Sequence, residues 1–114
     1  MKHFKVIEDQ KADLNILFAG DLCPMYQIEQ ACKNDAHSKI SNKFKKHFEN
    51  KDLFVANLES PLTKSDKKRN KYVSNVKADP VSFKIVQECN IDILSLANNH
   101  IMEYGSTGFK IRLN

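Results

Sequence analysis

Three times in this chain an apolar, strand-like run stops abruptly at residues able to hold a metal or a proton. Leu14-Asn15-Ile16-Leu17-Phe18-Ala19 ends in Gly20-Asp21, and Leu53-Phe54-Val55-Ala56 ends in Asn57-Leu58-Glu59. Ile91-Asp92-Ile93-Leu94-Ser95-Leu96-Ala97 ends in Asn98-Asn99-His100. Nearly continuous apolar runs of this kind suit strands covered on both faces, as in parallel sheets. In open α/β sheets, ligands bind beyond the carboxyl ends of the strands. With the three strands as neighbours, Asp21, Glu59, Asn99 and His100 converge on one rim. Oxygen plus imidazole nitrogen is a donor set for hard or borderline divalent metals.

The segments between the runs read as crossovers. Met25 to Ala36 leans to helix. Ser38 to Glu49 repeats Ile40, Phe44 and Phe48 every four residues, with Ser38 as N-cap and Asn50 as stop. Lys71 to Val76 reads as a short extended segment. Asp79-Pro80 starts a further helix, with Asp as cap and Pro in the first turn, and Phe83, Val86 and Cys89 form its buried stripe up to Asn90. Gly105 to Leu113 reads as a turn and an amphipathic helix. The order strand, helix, strand, helix, strand predicts an α/β fold with a mainly parallel sheet and right-handed crossover helices.

At 114 residues there is room for one domain with a modest core, here 13–114, preceded by an N-terminal extension over 1–12. The 41% hydrophobic content is too high for a disordered chain. No apolar run approaches the roughly 20 residues of a membrane span. The N-terminus, Met1-Lys2-His3-Phe4-Lys5-Val6-Ile7, lacks the apolar stretch of a secretory signal. The expectation is a cytoplasmic protein, associated with membranes only through partners. Cys23, Cys32 and Cys89 are odd in number and free of any CxxC pair, which predicts reduced thiols.

The net charge of +4 is uneven: Lys39 to Lys71 holds ten Lys/Arg against four Asp/Glu. Lys64 to Lys71 carries no apolar residue and reads as a solvated loop. Because it begins a few residues after Glu59, Lys67, Lys68 and Arg69 are placed to steer an anionic substrate. A nucleic-acid partner is not expected, since that stretch has no interleaved aromatic to stack a base and no recognition motif is present.

Each strand end has its own chemistry. Gly20 lets the backbone turn sharply and bring the Asp21 carboxylate forward. Cys23 reads as an inert, partly buried thiol, with nothing near it in sequence to lower its pKa. Glu59 is placed to bridge two metal ions, a geometry that suits phosphate-ester hydrolysis. Asn57 is expected to cap the following turn. Asn98-Asn99-His100 is the most specific local signal, because two amides and an imidazole are costly to bury after an apolar strand. The Asn99 carbonyl oxygen can ligate a metal, and His100 can protonate a leaving oxygen near neutral pH. Glu103 is positioned to orient His100, and Asn57 and Asn98 stand behind the ligands as supporting amides. His3, His37 and His47 read as ordinary surface or amphipathic residues.

Gly20-Asp21-Leu22, the run Val55-Ala56-Asn57-Leu58-Glu59-Ser60-Pro61-Leu62-Thr63, and the run Leu96-Ala97-Asn98-Asn99-His100-Ile101-Met102-Glu103-Tyr104-Gly105 together resemble the CapA-type capsule and poly-γ-glutamate synthesis proteins, relatives of the calcineurin-like metallophosphoesterases. Lys77-Ala78-Asp79-Pro80 adds to the resemblance, which runs from about Leu14 to Phe109. It implies a four-layer α/β/β/α metallophosphatase fold, of which this chain would be the N-terminal part. It further implies one or two divalent ions (manganese, iron or zinc), metal-binding roles for Asp21, Glu59 and Asn99, and His100 beside the scissile phosphate. The substrate would be anionic or polymer-related. Two departures stand out: Asp21-Leu22-Cys23 replaces the usual Asp-x-His, and the histidines of the second half are missing. Glu103 also stands where the family often has Asp. The expectation is therefore a chain that is inert in isolation, with a non-catalytic metal- or anion-binding remnant as the alternative. Its oligomeric state is open.

Overall fold

The computed structural model describes residues 14–70, 72 and 76–109. The expected extension over 1–12, most of the 71–76 segment and the end of the last helix lie outside the described residues. Three strands, β1 (Ile16–Leu22), β2 (Leu53–Leu58) and β3 (Ile93–Ser95), pair in the order β1-β2-β3, both pairs parallel. The helices are α1 (Gln27–Lys33), α2 (Ser38–Ser41), α3 (Phe83–Glu88) and α4 (Gly105–Phe109), with short 3-10 turns at Lys45–His47 and Pro80–Ser82. This is the partial α/β fold with a parallel sheet that the alternation of runs predicts.

β2 is central and its side chains alternate without a break: Phe54, Ala56 and Leu58 are buried, while Leu53, Val55 and Asn57 are half-exposed. The buried row faces the helices. Leu58, Leu62 and Ala78 form one cluster with Leu22, Met25, Phe83, Leu94 and Leu96 around it. Cys32, Ile85 and Val86 form a second, where α1 and α3 meet over the sheet. The opposite face is open among the described residues. Phe18, Val55 and Ile93 sit side by side across the three strands, and Phe18 is 72% exposed. The expectation of strands covered on both faces is thus corrected: strand order 1-2-3 with right-handed crossovers sends the helices to one side.

The register holds the main surprise. Phe18 pairs with Val55 and Asp21 pairs with Asn57, so β1 advances three residues where β2 advances two. The extra residue lies at Ala19-Gly20. Without it, Leu22 would share the face of Phe18; with it, Leu22 returns to the core and Asp21 joins the row of Asn57. The sharp turn expected at Gly20 is absent. The strand runs through Gly20, whose φ is not positive and whose surroundings are open.

The helix expected over Ser38–Glu49 breaks after one turn. Lys39 and Lys43 lie four apart with like charge, and Lys45 and Lys46 follow. Phe44, meant for the buried stripe, is half in solvent. Phe48 packs against Phe54 at a ring separation of 5.0 Å. The Asp79 cap behaves as expected: its Oδ1 accepts the Val81 N–H at 2.9 Å, and Pro80 occupies the first turn. Asn90 ends the helical region in the left-handed conformation, φ 50°.

Two carboxylates tie the layers together. Asp92 accepts the Phe54 N–H at 2.7 Å and the Lys51 ammonium at 3.1 Å, which seats β3 against β2. Glu29 on α1 pairs with Lys33 and accepts the Asp79 N–H at 3.0 Å. The Phe54 N–H and then Lys51 hold Asp92 below the usual carboxylate range, and Lys33 and then the Asp79 N–H do so for Glu29.

Leu58→Ala, cut from the sealed core, is expected to cost about 2–5 kcal/mol in urea unfolding. Phe18→Lys on the open face is expected to change it by no more than about 0.5 kcal/mol. Carboxylates with lowered folded pKa stabilise above their unfolded values, about 3.9 for Asp and 4.3 for Glu, and lose that contribution as pH falls through the folded values. The thermal midpoint should therefore drop below about pH 4. Asp92→Asn keeps an acceptor for Phe54 but has no proton to gain, so its midpoint should fall less over the same range.

Candidate functional site

The three motifs do meet at the carboxyl edge of the sheet. Asp21 ends β1, Asn57 ends β2 beside it, and Ser95 lies next in the row on β3, just before the Asn98 turn. The Asn57 amide donates to Asp21 Oδ1 at 2.7 Å, and its carbonyl oxygen accepts from Asn98 Nδ2 at 3.1 Å. Asn98 Nδ2 also donates to the Leu58 carbonyl at 2.8 Å. A continuous amide chain therefore crosses all three strand ends.

Asn98 is the hub. Its Oδ1 accepts the backbone N–H groups of His100 and Ile101, at 3.0 and 3.1 Å. This is the capped turn that the sequence reading gave to Asn57. Asn57 instead bonds sideways to its neighbours, because the strand continues through it to Leu58 and no turn begins there. The Asn98 amide is thus used at both ends, and its oxygen holds the backbone N–H groups that follow it.

His100 lies between two carboxylates. Its Nδ1 is 2.6 Å from Glu103 Oε1, and its Nε2 is 3.7 Å from Glu59 Oε1. A carboxylate only accepts, so Glu103 fixes the proton on Nδ1 and leaves the Nε2 lone pair facing the rim. There the Asn99 amide nitrogen approaches at 3.1 Å. Glu103 is itself held: its Oε2 accepts the Val76 N–H at 2.9 Å, and its carbonyl accepts the Arg69 N–H at 2.8 Å. The second contact ties the basic loop to the site, which the sequence did not reveal. Lys64, Lys67, Lys68 and Arg69 are all exposed. Lys77 reaches back to Asp66 at 2.5 Å and lies over the Tyr104 ring.

Cys23 follows β1 and is half-buried. Burial raises its thiol pKa; the nearby Ser60 hydroxyl opposes this, and the Glu59 and Asp21 carboxylates add to it. It is a protonated thiol and a poor nucleophile at neutral pH. Its sulfur touches the Met25 sulfur, a contact absent from the sequence reading.

The expected metal shell does not close. Among the described residues, no three His, Cys, Asp or Glu side chains gather closely enough to hold an ion. Asp21 Oδ1 is engaged by the Asn57 amide, and His100 Nδ1 by Glu103. Asp21, Glu59, Asn99 and His100 share an edge without forming a coordination site on their own.

The sequence profile of the bacterial capsule synthesis protein family, PGA_cap, matches residues 15–114. The chain belongs to this family. It is 28% identical over 99 residues to the "PGA biosynthesis protein CapA" of Bacillus subtilis (strain 168), covering 85% of this chain and 26% of that protein. It is 25% identical over 100 residues to the "Capsule biosynthesis protein CapA" of Bacillus anthracis, covering 85% and 24% respectively. The chain thus spans about a quarter of the length of these curated relatives. No helix among the described residues is long and apolar enough to cross a membrane. All three strand-end motifs fall inside the matched region.

Asn98→Ala removes four hydrogen bonds and leaves two backbone N–H groups and the Asn57 carbonyl unmatched. A loss of about 1–3 kcal/mol in urea unfolding is expected.

Proposed function

We propose that this chain carries the substrate-facing rim of a capsule-synthesis protein, with poly-γ-glutamate or a related anionic polymer precursor as the substrate class. The observation that supports this most is the Glu59–His100–Glu103 arrangement at the carboxyl edge of the sheet. Glu103 holds the Nδ1 proton, and Nε2, which the Asn99 amide contacts at 3.1 Å, takes a proton from water or a substrate hydroxyl that displaces that amide and returns it to a leaving oxygen. Glu59, on the far side of the imidazole, stabilises the imidazolium formed in between. Lys67, Lys68 and Arg69, tethered beside Glu103 through the Arg69 N–H, favour an anionic substrate electrostatically.

Hydrolysis of a phosphoester or a related bond is the reaction class this reading favours. No step is routed through a metal, because the described residues do not close a shell around one. The reading retains a divalent ion (manganese, iron or zinc) as a ligand that Asp21, Glu59 and Asn99 would share with donors from outside the described residues.

Two measurements test the reading. In the cell that encodes the protein, His100→Gln at unchanged protein abundance is expected to lower surface polymer by roughly tenfold or more, in line with loss of a general acid–base group. Wild-type polymer levels in that strain would overturn the proposal. In vitro, the 114-residue chain loaded with manganese or zinc is expected to give no turnover of a chromogenic phosphodiester above the metal blank. Turnover that disappears in His100→Gln would show that the chain completes its site unaided or as an oligomer.

A further inference from the structure

Glu103 is bonded at three points, and two of its partners come from separate segments of the loop region. Its Oε1 meets His100 Nδ1 at 2.6 Å, its Oε2 accepts the Val76 N–H at 2.9 Å, and its carbonyl accepts the Arg69 N–H at 2.8 Å. Val76 leads into Ala78, which is buried and bridged in parallel to Leu62. The Ala78 N–H donates to the Pro61 carbonyl at 3.0 Å, and the Ala78 carbonyl accepts the Thr63 N–H at 2.9 Å. Beyond this bridge, the Lys77 side chain links the two segments. Its Nζ donates to the Ser65 carbonyl at 2.9 Å and to Asp66 Oδ1 at 2.5 Å. The Asp66 carbonyl in turn accepts the Lys68 N–H at 3.0 Å, in the turn that leads to Arg69. The same ammonium lies 5.2 Å from the centre of the Tyr104 ring, which is buried and directly follows Glu103. The Asp66 end of this link is an exposed ion pair and contributes little alone. The Ser65 carbonyl and the buried ring are its firm ends, because charge-assisted hydrogen bonds and desolvated cation–π contacts are the stronger kinds.

We propose that Lys77 is a positioning residue for the Glu103–His100 pair. It sets the Val76 N–H, one residue before it, against Glu103 Oε2. Through Ser65 and Asp66 it also sets the segment that brings the Arg69 N–H to the Glu103 carbonyl. With Oε2 bonded and the backbone held, Oε1 is the oxygen left for the imidazole. Which ring nitrogen of a histidine carries the proton is set by the hydrogen bond the ring makes, so a fixed Oε1 keeps that proton on Nδ1. Lys77 acts here only through Glu103. This deepens the function proposed above and rests on it for what His100 does, whereas the hold on the pair does not depend on the substrate.

The test is the His100 imidazole of the isotope-labelled full chain, read by NMR in mildly alkaline buffer. The shifts of its two ring nitrogens report which of them carries the proton, and the signals are assigned by their absence in His100→Gln. The parent chain is expected to hold a single tautomer, with the proton on Nδ1. Lys77→Met keeps the aliphatic stem over Tyr104 but removes the charge and the donors. Its backbone amide spectrum should remain that of a folded chain, while the single tautomer is lost and the proton is shared between Nδ1 and Nε2. Lys77→Gln, uncharged and shorter, is read in the same way, so the test stands if one of the two variants is poorly folded. Lys77→Arg keeps the charge, the donors and the contact with the ring, and should restore the Nδ1 tautomer. An unchanged Nδ1 tautomer in the folded Lys77→Met or Lys77→Gln chain would overturn the proposal, and so would a parent chain with its proton on Nε2. The readout is separate from the polymer measurement: wild-type polymer in the His100→Gln strain overturns the proposed function without altering the tautomer.

Discussion

The extra residue in β1 sets which of that strand's side chains meet solvent and which meet the helices. Strand side chains alternate with a period of two, so inserting one residue exchanges the faces of everything after it. Before the bulge, Phe18 lies on the open face; after it, Asp21 lies on that face and Leu22 enters the core. The bulge therefore satisfies two demands at once. A leucine is needed under α1 and α3, and a carboxylate is needed beside Asn57. With Phe18 on the open face, an unbroken strand would meet neither.

From that carboxylate the rest of the rim follows as a chain of amide contacts. Asn57 joins Asp21 to Asn98, and Asn98 joins β2 to the turn that carries His100. Amides suit this task because each supplies both donors and an acceptor, so one residue can bond in two directions. The imidazole at the end of the chain is oriented by Glu103, which is anchored in turn by backbone N–H groups from the loop region. The result is an imidazole held between two carboxylates on a sheet edge, with a basic loop beside it. Among the described residues, no three His, Cys, Asp or Glu side chains gather there closely enough to hold an ion.

Much of this was legible in the sequence, and the reasons are physical. Apolar runs separated by crossover-length segments fixed the parallel order, because a short connection cannot join parallel strands. Asp79-Pro80 and Asn90 mark their helix correctly since capping is local chemistry that tertiary packing rarely overrides. The helix over Ser38–Glu49 was misjudged for the converse reason. Its apolar spacing is sound, but periodicity stabilises a helix only if a surface receives the stripe, and Phe44 stays half in solvent. The bulge was signalled by a glycine within a strand pattern. That signal gives no register, so the face taken by Asp21 could not be read. Asn57 and Asn98 exchanged roles because an Asn before a turn and an Asn at a strand end look alike in one dimension.

Deleting Gly20 and following thermal unfolding tests the bulge most directly. The deletion removes the extra residue while leaving every side chain of the core and the rim in the sequence. If Gly20 is the extra residue, its loss leaves a regular alternation in which Phe18 still pairs with Val55, Asp21 still lies beside Asn57 and Leu22 still enters the core, whereas the same deletion in an unbulged strand would exchange the faces of Asp21 and Leu22. The account predicts a cooperative transition with its midpoint within about 5 °C of the parent chain. Loss of the cooperative transition, or a midpoint lowered by about 10 °C or more, would contradict it.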